Sequence, residues 1–304
     1  MKEVVPAALD GERVDRIVAM LTGVSRAAAA DLVAGGSVRV DGTPVAAGKQ
    51  RLRAGQTVEL PEETTATPEA AEPDPTVEVD VVFADNDVIV VDKPPGLVVH
   101  PGAGHHGGTL VNGLLARYPD LAGIGVDPQR PGIVHRLDAE TSGLLMVARS
   151  ERAYEALVAQ LADRSASREY VALAWGVPEA RRGVVDAPIG RSARDPTRMT
   201  VAATGRPART QYEVEREFSE PVTCSLWRLR LETGRTHQIR VHLAAIGHPV
   251  VGDERYGGVR SGLDVPRLML HARSLAFTDP GTHQRVEFES PVPPDMARVI
   301  SRLR

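Results

Sequence analysis

Residues 61–75, PEETTATPEAAEPDP, limit the possible folds of this chain more than any other stretch. They include four prolines and five acidic residues, and almost no large apolar side chain. Such a segment cannot bury enough apolar surface to offset the entropy that folding removes. We therefore expect a linker over residues 61–76, between a small domain of residues 1–60 and a larger domain of residues 77–304. This division suits a chain of 304 residues.

The acidic segment also hides the charge of the two domains beside it. The chain has a net charge of −4, but residues 61–80 contain seven acidic residues and no basic residue. Residues 1–60 hold 8 basic and 7 acidic residues, and residues 81–304 hold 28 and 26. Both bodies are slightly basic, so a polyanionic partner remains possible, although a basic patch requires clustering in space.

Other features of the sequence bear on the compartment. No stretch approaches the roughly 18 consecutive apolar residues of a membrane span. The first residues, MKEVVPAALDGERVDR, show no secretion signal. Cys224 is the only cysteine and lies in an alternating run, where we expect a buried apolar role. An internal disulfide is excluded, and we expect a cytoplasmic protein without membrane contact.

The first 60 residues have the pattern of a small α/β module. GERVDRIVAML and SRAAAADLVAGG predict two helices. SVRVDGTPV predicts a hairpin with Asp41–Gly42 in its turn, and QRLRAGQTVEL predicts a further strand. The arginines of this module, taken alone, favour a solvated face. The order helix–helix–hairpin, with the RVD, SR and VxVDG elements, resembles the RNA-binding domain named after ribosomal protein S4. That resemblance makes Arg13, Arg26 and Arg39 candidate RNA-binding residues.

Strands outnumber helices in the larger domain. VEVDVVFADNDVIVVDKPPG contains β-branched runs that are broken by turn residues, and GLLMVARS, REYVALAWG, RTQYEVEREF and TCSLWRLRLET predict further strands. Helices are predicted in GTLVNGLLARYPD, after Ser150 in ERAYEALVAQLADR, and from Thr236 to the stop at Gly247. Because several strands follow each other directly, we expect an α+β fold with a largely antiparallel mixed sheet.

GAGHHG, residues 102–107, fits the G-x-G-x-x-G pattern of dinucleotide-binding loops. That fingerprint requires its first glycine directly after a strand within a βαβ unit. Pro101 precedes the glycines here and the following segments do not alternate strand and helix, so a loop is favoured over a dinucleotide enzyme. His100, His105 and His106 raise the alternative of a metal site, but no carboxylate or thiol completes it.

GRTHQIRVH, residues 234–242, places Arg235 and Arg240 near a predicted helix start. The amino end of a helix prefers anions and disfavours cations. The pattern therefore suggests a carboxylate or phosphate beside these arginines, and a solvent-facing arginine pair is the alternative.

HRLDAETSG, residues 135–143, must form a loop between strands, since Asp, Glu and Gly are poor strand residues. Asp138 is its best candidate for chemistry, because a carboxylate can act as a base or a nucleophile. Taken alone, however, this loop favours an aspartate that accepts backbone hydrogen bonds in a turn.

Read together, these segments point to one family. HRLDAETSGLLMVA, REYVALAWG and LETGRTHQIRVHLAAIGHPVVGDERYG occur in this order, with VDKPPGLVVHPGAGHHGGTLVNGLLARYPD upstream. From about residue 77 to 295 the chain resembles the ribosomal large-subunit type of RNA pseudouridine synthase. The S4-like module is the usual companion of that catalytic domain.

The resemblance implies roles for particular residues. The aspartate of HRLD, Asp138, is the catalytic residue of the family, and the tyrosine of REYVA, Tyr170, stacks on the target uracil. The last arginine of GRTHQIR, Arg240, pairs with the catalytic carboxylate. The arginine of HRLD, Arg136, is placed to enter the space that a flipped base leaves. Arg235 is then free to face a phosphate.

The implied reaction breaks the bond between ribose and uracil nitrogen, turns the base and rejoins it through carbon. It oxidises nothing and imports no group, so we expect no cofactor and no metal. Asp138 could attack the anomeric carbon or remove a ribose proton, and both routes remain open. Either route needs an ionised Asp138, which a nearby guanidinium favours.

The expected partner is RNA, with a monomeric enzyme as our default. GLVVHPGAG and GTLVN are most similar to family members that act on large-subunit ribosomal RNA, which makes that RNA or a pre-ribosomal particle the expected target. Transfer RNA is an alternative target. A ribosome-assembly factor in which RNA binding matters more than modification is an alternative function, based on the S4-like module.

Overall fold

The computed structural model describes residues 2–22, 24, 26–60, 70–102, 105, 107–195 and 197–304, without the side chains of residues 8, 26 and 27. The chain divides into two compact units, Met1–Ala70 and Ala71–Arg304. Most of the predicted linker, residues 61–69, lies outside the described residues.

The last residues of the predicted linker, 71–76, are held against the larger unit. Ala71 N donates to Pro128 O at 3.0 Å, and Asp74 N donates to Asn112 O at 2.9 Å. The side-chain amide of Asn112 donates to Glu72 O at 2.7 Å. The linker therefore ends earlier than composition predicts, because backbone hydrogen bonds need no apolar side chain in the segment that makes them.

The smaller unit contains two helices and a four-stranded sheet. Its elements are β1 (Lys2–Val4), a 3-10 turn (Ala7–Leu9), α1 (Val14–Thr22), α2 (Arg26–Ala34), β2 (Arg39–Val40), β3 (Thr43–Pro44) and β4 (Thr57–Glu59). The sheet order is β1-β4-β2-β3, with antiparallel neighbours. Asp41 and Gly42 have φ values of 50° and 76°, so the predicted hairpin turn is confirmed.

The larger unit is built on a nine-stranded sheet. The strands of the larger unit, inside and outside this sheet, are β5 (Val81–Ala84), β6 (Val88–Lys93), β7 (Ser142–Ala148), β8 (Ser167–Trp175), β9 (Arg182–Asp186), β10 (Ile189–Arg191), β11 (Met199–Val201), β12 (Arg209–Phe218), β13 (Cys224–Leu231), β14 (Leu270–Thr278) and β15 (Arg285–Glu289). Its helices are α3 (Leu110–Arg117), a 3-10 turn (Pro119–Leu121), α4 (Glu151–Asp163), α5 (Gln238–Ala245) and α6 (Pro294–Ile300).

The order of the large sheet is β5-β6-β7-β14-β8-β13-β12-β9, with β15 also paired to β14, while β10 and β11 form a separate hairpin. Among the described strands of this sheet, β7 and β14 form the parallel pair and the other neighbours run antiparallel. The predicted α+β fold with a largely antiparallel mixed sheet is confirmed.

Helices cover both faces of β6 and β7, which explains why these strands are apolar without alternation. Ile89 and Val91 of β6 pack in one cluster with Leu110 and Leu114 of α3. Their neighbours Val88 and Val90 pack in another with Leu157 of α4. The strand that follows the HRLDAE segment therefore enters the middle of a covered sheet.

The remaining features concern single residues and helix length. Ser150 Oγ accepts from Ala153 N, so the predicted cap of α4 is confirmed. Cys224 is fully buried in an apolar cluster, as expected. None of the described helices has the length and apolar character that a membrane crossing needs.

Candidate active site

HRLDAETSG forms the turn that leads into β7. Gly143, the second residue of β7, has a φ of 110°, and a Cβ at this position would lie 2.2 Å from Ala272 O on β14. The parallel pairing of β7 with β14 brings the two backbones together at this point. Glycine is therefore required where the loop becomes strand.

Lys93 fastens this turn to the KPPG loop. The side chain is buried, and its ammonium donates to Pro94 O, Leu97 O and Ala139 O at 2.7, 2.9 and 2.8 Å. Burial lowers the pKa of Lys93 to about 7. Sequence reasoning missed this residue, although a lysine that ends the apolar run VIVVDK is an available signal.

Asp138 and Arg240 meet across 102 residues of sequence. Arg240 Nη1 donates to Asp138 Oδ2 at 3.0 Å. Arg240 Nε and Nη2 donate to Asp253 Oδ2 and Oδ1 at 2.7 and 3.0 Å, so the guanidinium is shared by two carboxylates. Burial opposes the charge of Arg240, but its hydrogen bonds and the two carboxylates outweigh burial and raise its pKa. A cation thus lies within hydrogen-bonding distance of Asp138.

Asp253 is another residue of the site that sequence reasoning did not find. Its side chain is completely buried. Besides Arg240, its Oδ1 accepts from the backbone N–H groups of Arg255 and Tyr256 at 3.0 and 3.1 Å. Because these bonds fix Asp253, they also fix the direction in which Arg240 points. The only signal in the sequence was an acidic residue after the apolar run HPVVG.

The helix that carries Arg240 begins at Gln238, two residues after its predicted start at Thr236. Gln238 Oε1 accepts from Thr233 Oγ1 and Arg235 N at 2.7 and 3.0 Å, which holds the preceding residues in a turn. His237 has a left-handed φ of 55° and cannot continue a helix. The predicted start was wrong because the side chain of Gln238, at the start of the helix, accepts hydrogen bonds from the preceding loop and holds that loop in a non-helical turn.

His237 lies between the carboxylate and a tyrosine. Its Nε2 is 4.0 Å from Asp138 Oδ1, and its Nδ1 is 2.8 Å from the hydroxyl of Tyr256. Burial lowers the pKa of His237. The charge of Asp138 raises this pKa and that of Arg240 lowers it further, so the net shift is downward. The left-handed backbone turns this imidazole toward Asp138, another feature that the sequence pattern did not reveal.

Two clefts meet at Asp138. One, of about 760 Å³, contains Tyr170 and Arg240 in its walls. The other, of about 660 Å³, contains Asp253 and also Arg240. Tyr170 comes from β8 and is 4% exposed. The structure thus places three predicted residues, Asp138, Tyr170 and Arg240, around one space.

The other predicted arginines of the larger unit lie at the edges of these clefts. Arg136 is exposed and borders both clefts. Arg235 borders the larger cleft, and its Nε donates to Pro207 O at 3.0 Å. Because both guanidinium groups lie at the edge of a cleft, they can contact a polyanion whose charge stays exposed to solvent.

The predicted arginines of the smaller unit differ in their surroundings. Arg13 forms an ion pair with Asp15, with Nη2 and Oδ2 2.5 Å apart, so this arginine carries less free charge than its sequence position suggests. Arg39 is exposed, and its Nη1 lies 3.5 Å from Gly42 O. The side chain of Arg26 lies outside the described residues.

GAGHHG lies in the loop before α3. Gly102 and His105 form a reciprocal backbone pair, with N–O distances of 2.8 and 3.0 Å, and residues 103, 104 and 106 lie outside the described residues. The backbone of Gly102 thus forms its hydrogen bonds with another residue of the same loop. Elsewhere in the described part of the chain, no group of three or more His, Cys, Asp or Glu side chains could hold a metal ion.

The RNA pseudouridylate synthase family model matches residues 87–245, and the S4 domain model matches residues 12–58. The first match covers every element that builds the site up to Arg240. The chain therefore belongs to the RNA pseudouridylate synthase family, and it is an RNA-modifying isomerase with an S4 domain.

Individual relatives span almost the whole chain. An uncharacterized RNA pseudouridine synthase of Bacillus subtilis is 45% identical over 96% of this chain and 94% of its own length. A protein named ribosomal large subunit pseudouridine synthase D, of Pseudomonas aeruginosa, is 42% identical over 99% of this chain and 94% of its own. The solved structure of human RNA pseudouridylate synthase domain containing 1 is similar with a TM-score of 0.59 and 29% identity. It covers 76% of this chain and 90% of its own.

Proposed function

We propose that this enzyme converts uridine to pseudouridine in large-subunit ribosomal RNA, with Asp138 as the catalytic residue. The observation that carries the proposal is the 3.0 Å hydrogen bond from Arg240 to Asp138 at the junction of two clefts. The other two Arg240 donors are committed to Asp253. Arg240 therefore places a cation against Asp138 and fixes its position without removing it from the cleft.

The ionised carboxylate can then act by either of two routes. It can attack the anomeric carbon of ribose, or it can take a proton from the sugar. In both routes the electron pair of the bond to ribose leaves with uracil nitrogen. Asp138 is 16% exposed as a side chain, so one of its faces is open to a substrate.

A uridine in structured RNA must leave its stack to reach this carboxylate. Flipping costs a few kcal/mol, which stacking in a pocket and phosphate contacts can offset. We assign to Tyr170 the role of stacking on the flipped uracil. Arg136 is assigned to fill the space that the base leaves in the RNA. Arg235 is assigned to a backbone phosphate.

We further propose a division of labour between the domains of residues 1–60 and 77–304. The S4 domain adds affinity and orientation through arginines such as Arg39 and Arg26, and the larger domain performs the chemistry. The acidic segment between them repels RNA. We expect the enzyme to work as a monomer in the cytoplasm.

The names of several relatives support ribosomal RNA as the target, since proteins called ribosomal large subunit pseudouridine synthase D are 40–42% identical over nearly the whole chain. Mapping pseudouridine in ribosomal and transfer RNA, from cells with and without this protein, tests the target. Loss of pseudouridine from large-subunit ribosomal RNA supports it. Loss from transfer RNA alone overturns the target and leaves the chemistry intact.

The Asp138→Asn variant tests the chemistry. The substitution keeps the shape and removes the charge, so we expect no pseudouridine in a large-subunit ribosomal RNA transcript that the wild type modifies. Asp120→Asn is the matched control, because this carboxylate pairs with Arg149 and is 51% exposed. Normal modification by Asp138→Asn rules out our assignment.

A role in ribosome assembly is the second candidate function, and the S4 domain favours it. It predicts that Asp138→Asn restores ribosome maturation in cells that lack the protein. Failure of this variant to restore maturation assigns the cellular role to the modification.

A further inference from the structure

Arg168 is a buried cation with no anion beside it. The residue is 7% exposed, and its Nε has no hydrogen-bond partner. Among the described residues no carboxylate pairs with its guanidinium, and burial lowers its pKa. An isolated buried charge costs several kcal/mol, so a chain that retains one is expected to use it.

Two more residues that line the same cleft as Arg168 each carry a polar atom without a hydrogen-bond partner. The atoms are Nδ1 of His135 and Oγ1 of Thr141, and both are shielded from solvent. His135 Nε2 accepts from Met146 N at 3.2 Å, so the proton of the neutral ring resides on Nδ1. Burial, with the charge of Arg168, lowers the pKa of His135 to about 3, which keeps the ring neutral. The cleft therefore contains three donor groups without acceptors: an N–H of His135, a hydroxyl of Thr141 and an N–H of Arg168.

The position of Arg168 relates these donors to the base-stacking residue. Arg168 and Tyr170 are two residues apart on β8 and lie on the same face of the sheet. Both contribute to the cleft that contains Asp138. On the opposite side, a Cβ at Gly234 would lie 2.8 Å from Arg168 Nη1, so the glycine of TGR leaves room for the guanidinium.

A pyrimidine base is the ligand that fits these donors. Uracil has two carbonyl oxygens on a flat ring, and the residues that carry these donors line the cleft to which Tyr170 also contributes. A neutral base satisfies donors but does not balance a buried cation. Balance requires a negative charge, and the reaction creates one on uracil.

We propose that Arg168 stabilises the uracil anion that forms when the bond between ribose and uracil breaks. The electron pair of the C1′–N1 bond moves to N1, and its charge spreads onto the two carbonyl oxygens. Donors of Arg168, with those of His135 and Thr141, stabilise that charge. C5 then bonds to C1′ as the bond between C1′ and the Asp138 carboxylate breaks, or, in the proton-abstraction route, as Asp138 returns the proton to the sugar. The proton of C5 is lost and N1 takes up a proton, so atoms and charge balance. This proposal rests on the proposed function.

Its test compares Arg168→Met with Arg168→Lys. Methionine fills the space without charge, and lysine restores the charge without the planar fork. Three quantities are measured: the single-turnover rate on a large-subunit ribosomal RNA transcript, the Kd for that transcript by filter binding, and the melting temperature. Arg302→Met is the matched control, because Arg302 is exposed at the far end of the chain.

We expect Arg168→Met to lower the rate by about 100-fold or more, with Kd within about threefold of wild type. We expect Arg168→Lys to be faster than Arg168→Met and no more stable, since a buried lysine without a partner costs stability. The faster variant is then not the more stable one. A role in packing alone would instead make rate and stability change together.

The proposal fails if Arg168→Met keeps a rate within threefold of wild type, or if its loss appears only in Kd. It also fails if the lysine variant is no faster than the methionine variant. These outcomes differ from a failure of the proposed function. That failure shows as normal activity of Asp138→Asn or as an unmodified transcript with the wild-type protein.

Discussion

Asp253 and Arg240 form a two-point ion pair, with contacts of 2.7 and 3.0 Å, and the carboxylate of Asp253 has no exposed surface. Two donors of the guanidinium are thereby fixed, and the donor directed at Asp138 follows from their position. Asp253 thus acts on the site through Arg240, as a positioning residue.

Asp253→Asn is expected to lower the unfolding free energy by about 3–5 kcal/mol, because it leaves Arg240 without its buried anion. Both tryptophans, Trp175 and Trp227, lie in the larger unit, so tryptophan fluorescence during urea unfolding reports on that unit alone. Asp120→Asn, at an exposed pair, should cost no more than about 1 kcal/mol. Equal costs for the two variants would contradict the positioning role.

Gly143→Ala is expected to unfold the larger unit or destabilise it by more than about 4 kcal/mol, since the new Cβ would meet Ala272 O at 2.2 Å. Gly247→Ala is the matched control. Gly247 also has a positive φ, of 88°, but no atom within 4 Å of the added Cβ. It should lose only about 1–2 kcal/mol from backbone strain. The comparison, by the same fluorescence measurement, separates steric overlap from strain.

His237→Gly is expected to be more stable than His237→Ala by about 1 kcal/mol, although both variants lose the contact with Tyr256. The φ of 55° is free for glycine and strained for alanine. Thermal unfolding of both variants measures the difference. An alanine variant as stable as the glycine variant would mean that the turn relaxes away from this conformation.

The pKa of about 7 at Lys93 predicts a pH dependence of stability. Between pH 7 and the ordinary lysine pKa of about 10.4, the unfolded chain binds a proton that the folded chain has released. The unfolding free energy of wild type should therefore rise with pH in this window, by at most about 1.4 kcal/mol per unit.

Lys93→Met isolates that dependence, because other groups titrate equally in both proteins. The stability of wild type relative to Lys93→Met should increase from pH 7 to pH 9 and stay flat below pH 6. A constant difference across this range would show that Lys93 keeps its ordinary pKa in the folded protein.

Local pattern was sufficient to predict much of the fold. The alternating segments that became β12 and β13 and the capped helix after Ser150 were found where expected. Each is specified by residues within it, either by polar alternation or by a capping hydroxyl. The start of α5 was misplaced because Gln238 binds the loop before it, and such side-chain capture has no periodic signal.

The site was only partly predictable, for a related reason. Asp138, Tyr170 and Arg240 could be proposed from the sequence because each stands in a recognisable motif. Asp253 matters because folding places the guanidinium of Arg240 beside it. Arg168 matters because folding buries it without an anion. Burial and pairing of that kind depend on contacts between distant segments, which no window of the sequence contains.

The pairing of β7 with β14 has a consequence for the order of events on the ribosome. The turn that carries Asp138 ends where Ser142 meets His271, a residue made 129 positions later. Contacts of such long range close late in folding. A nascent chain that stops before β14 has already produced Asp138, Tyr170, Arg240 and Asp253, yet it lacks the strand that pairs with the start of β7, next to the turn that carries Asp138. Competence for the reaction therefore arises only after β14 has been synthesised and has paired with β7.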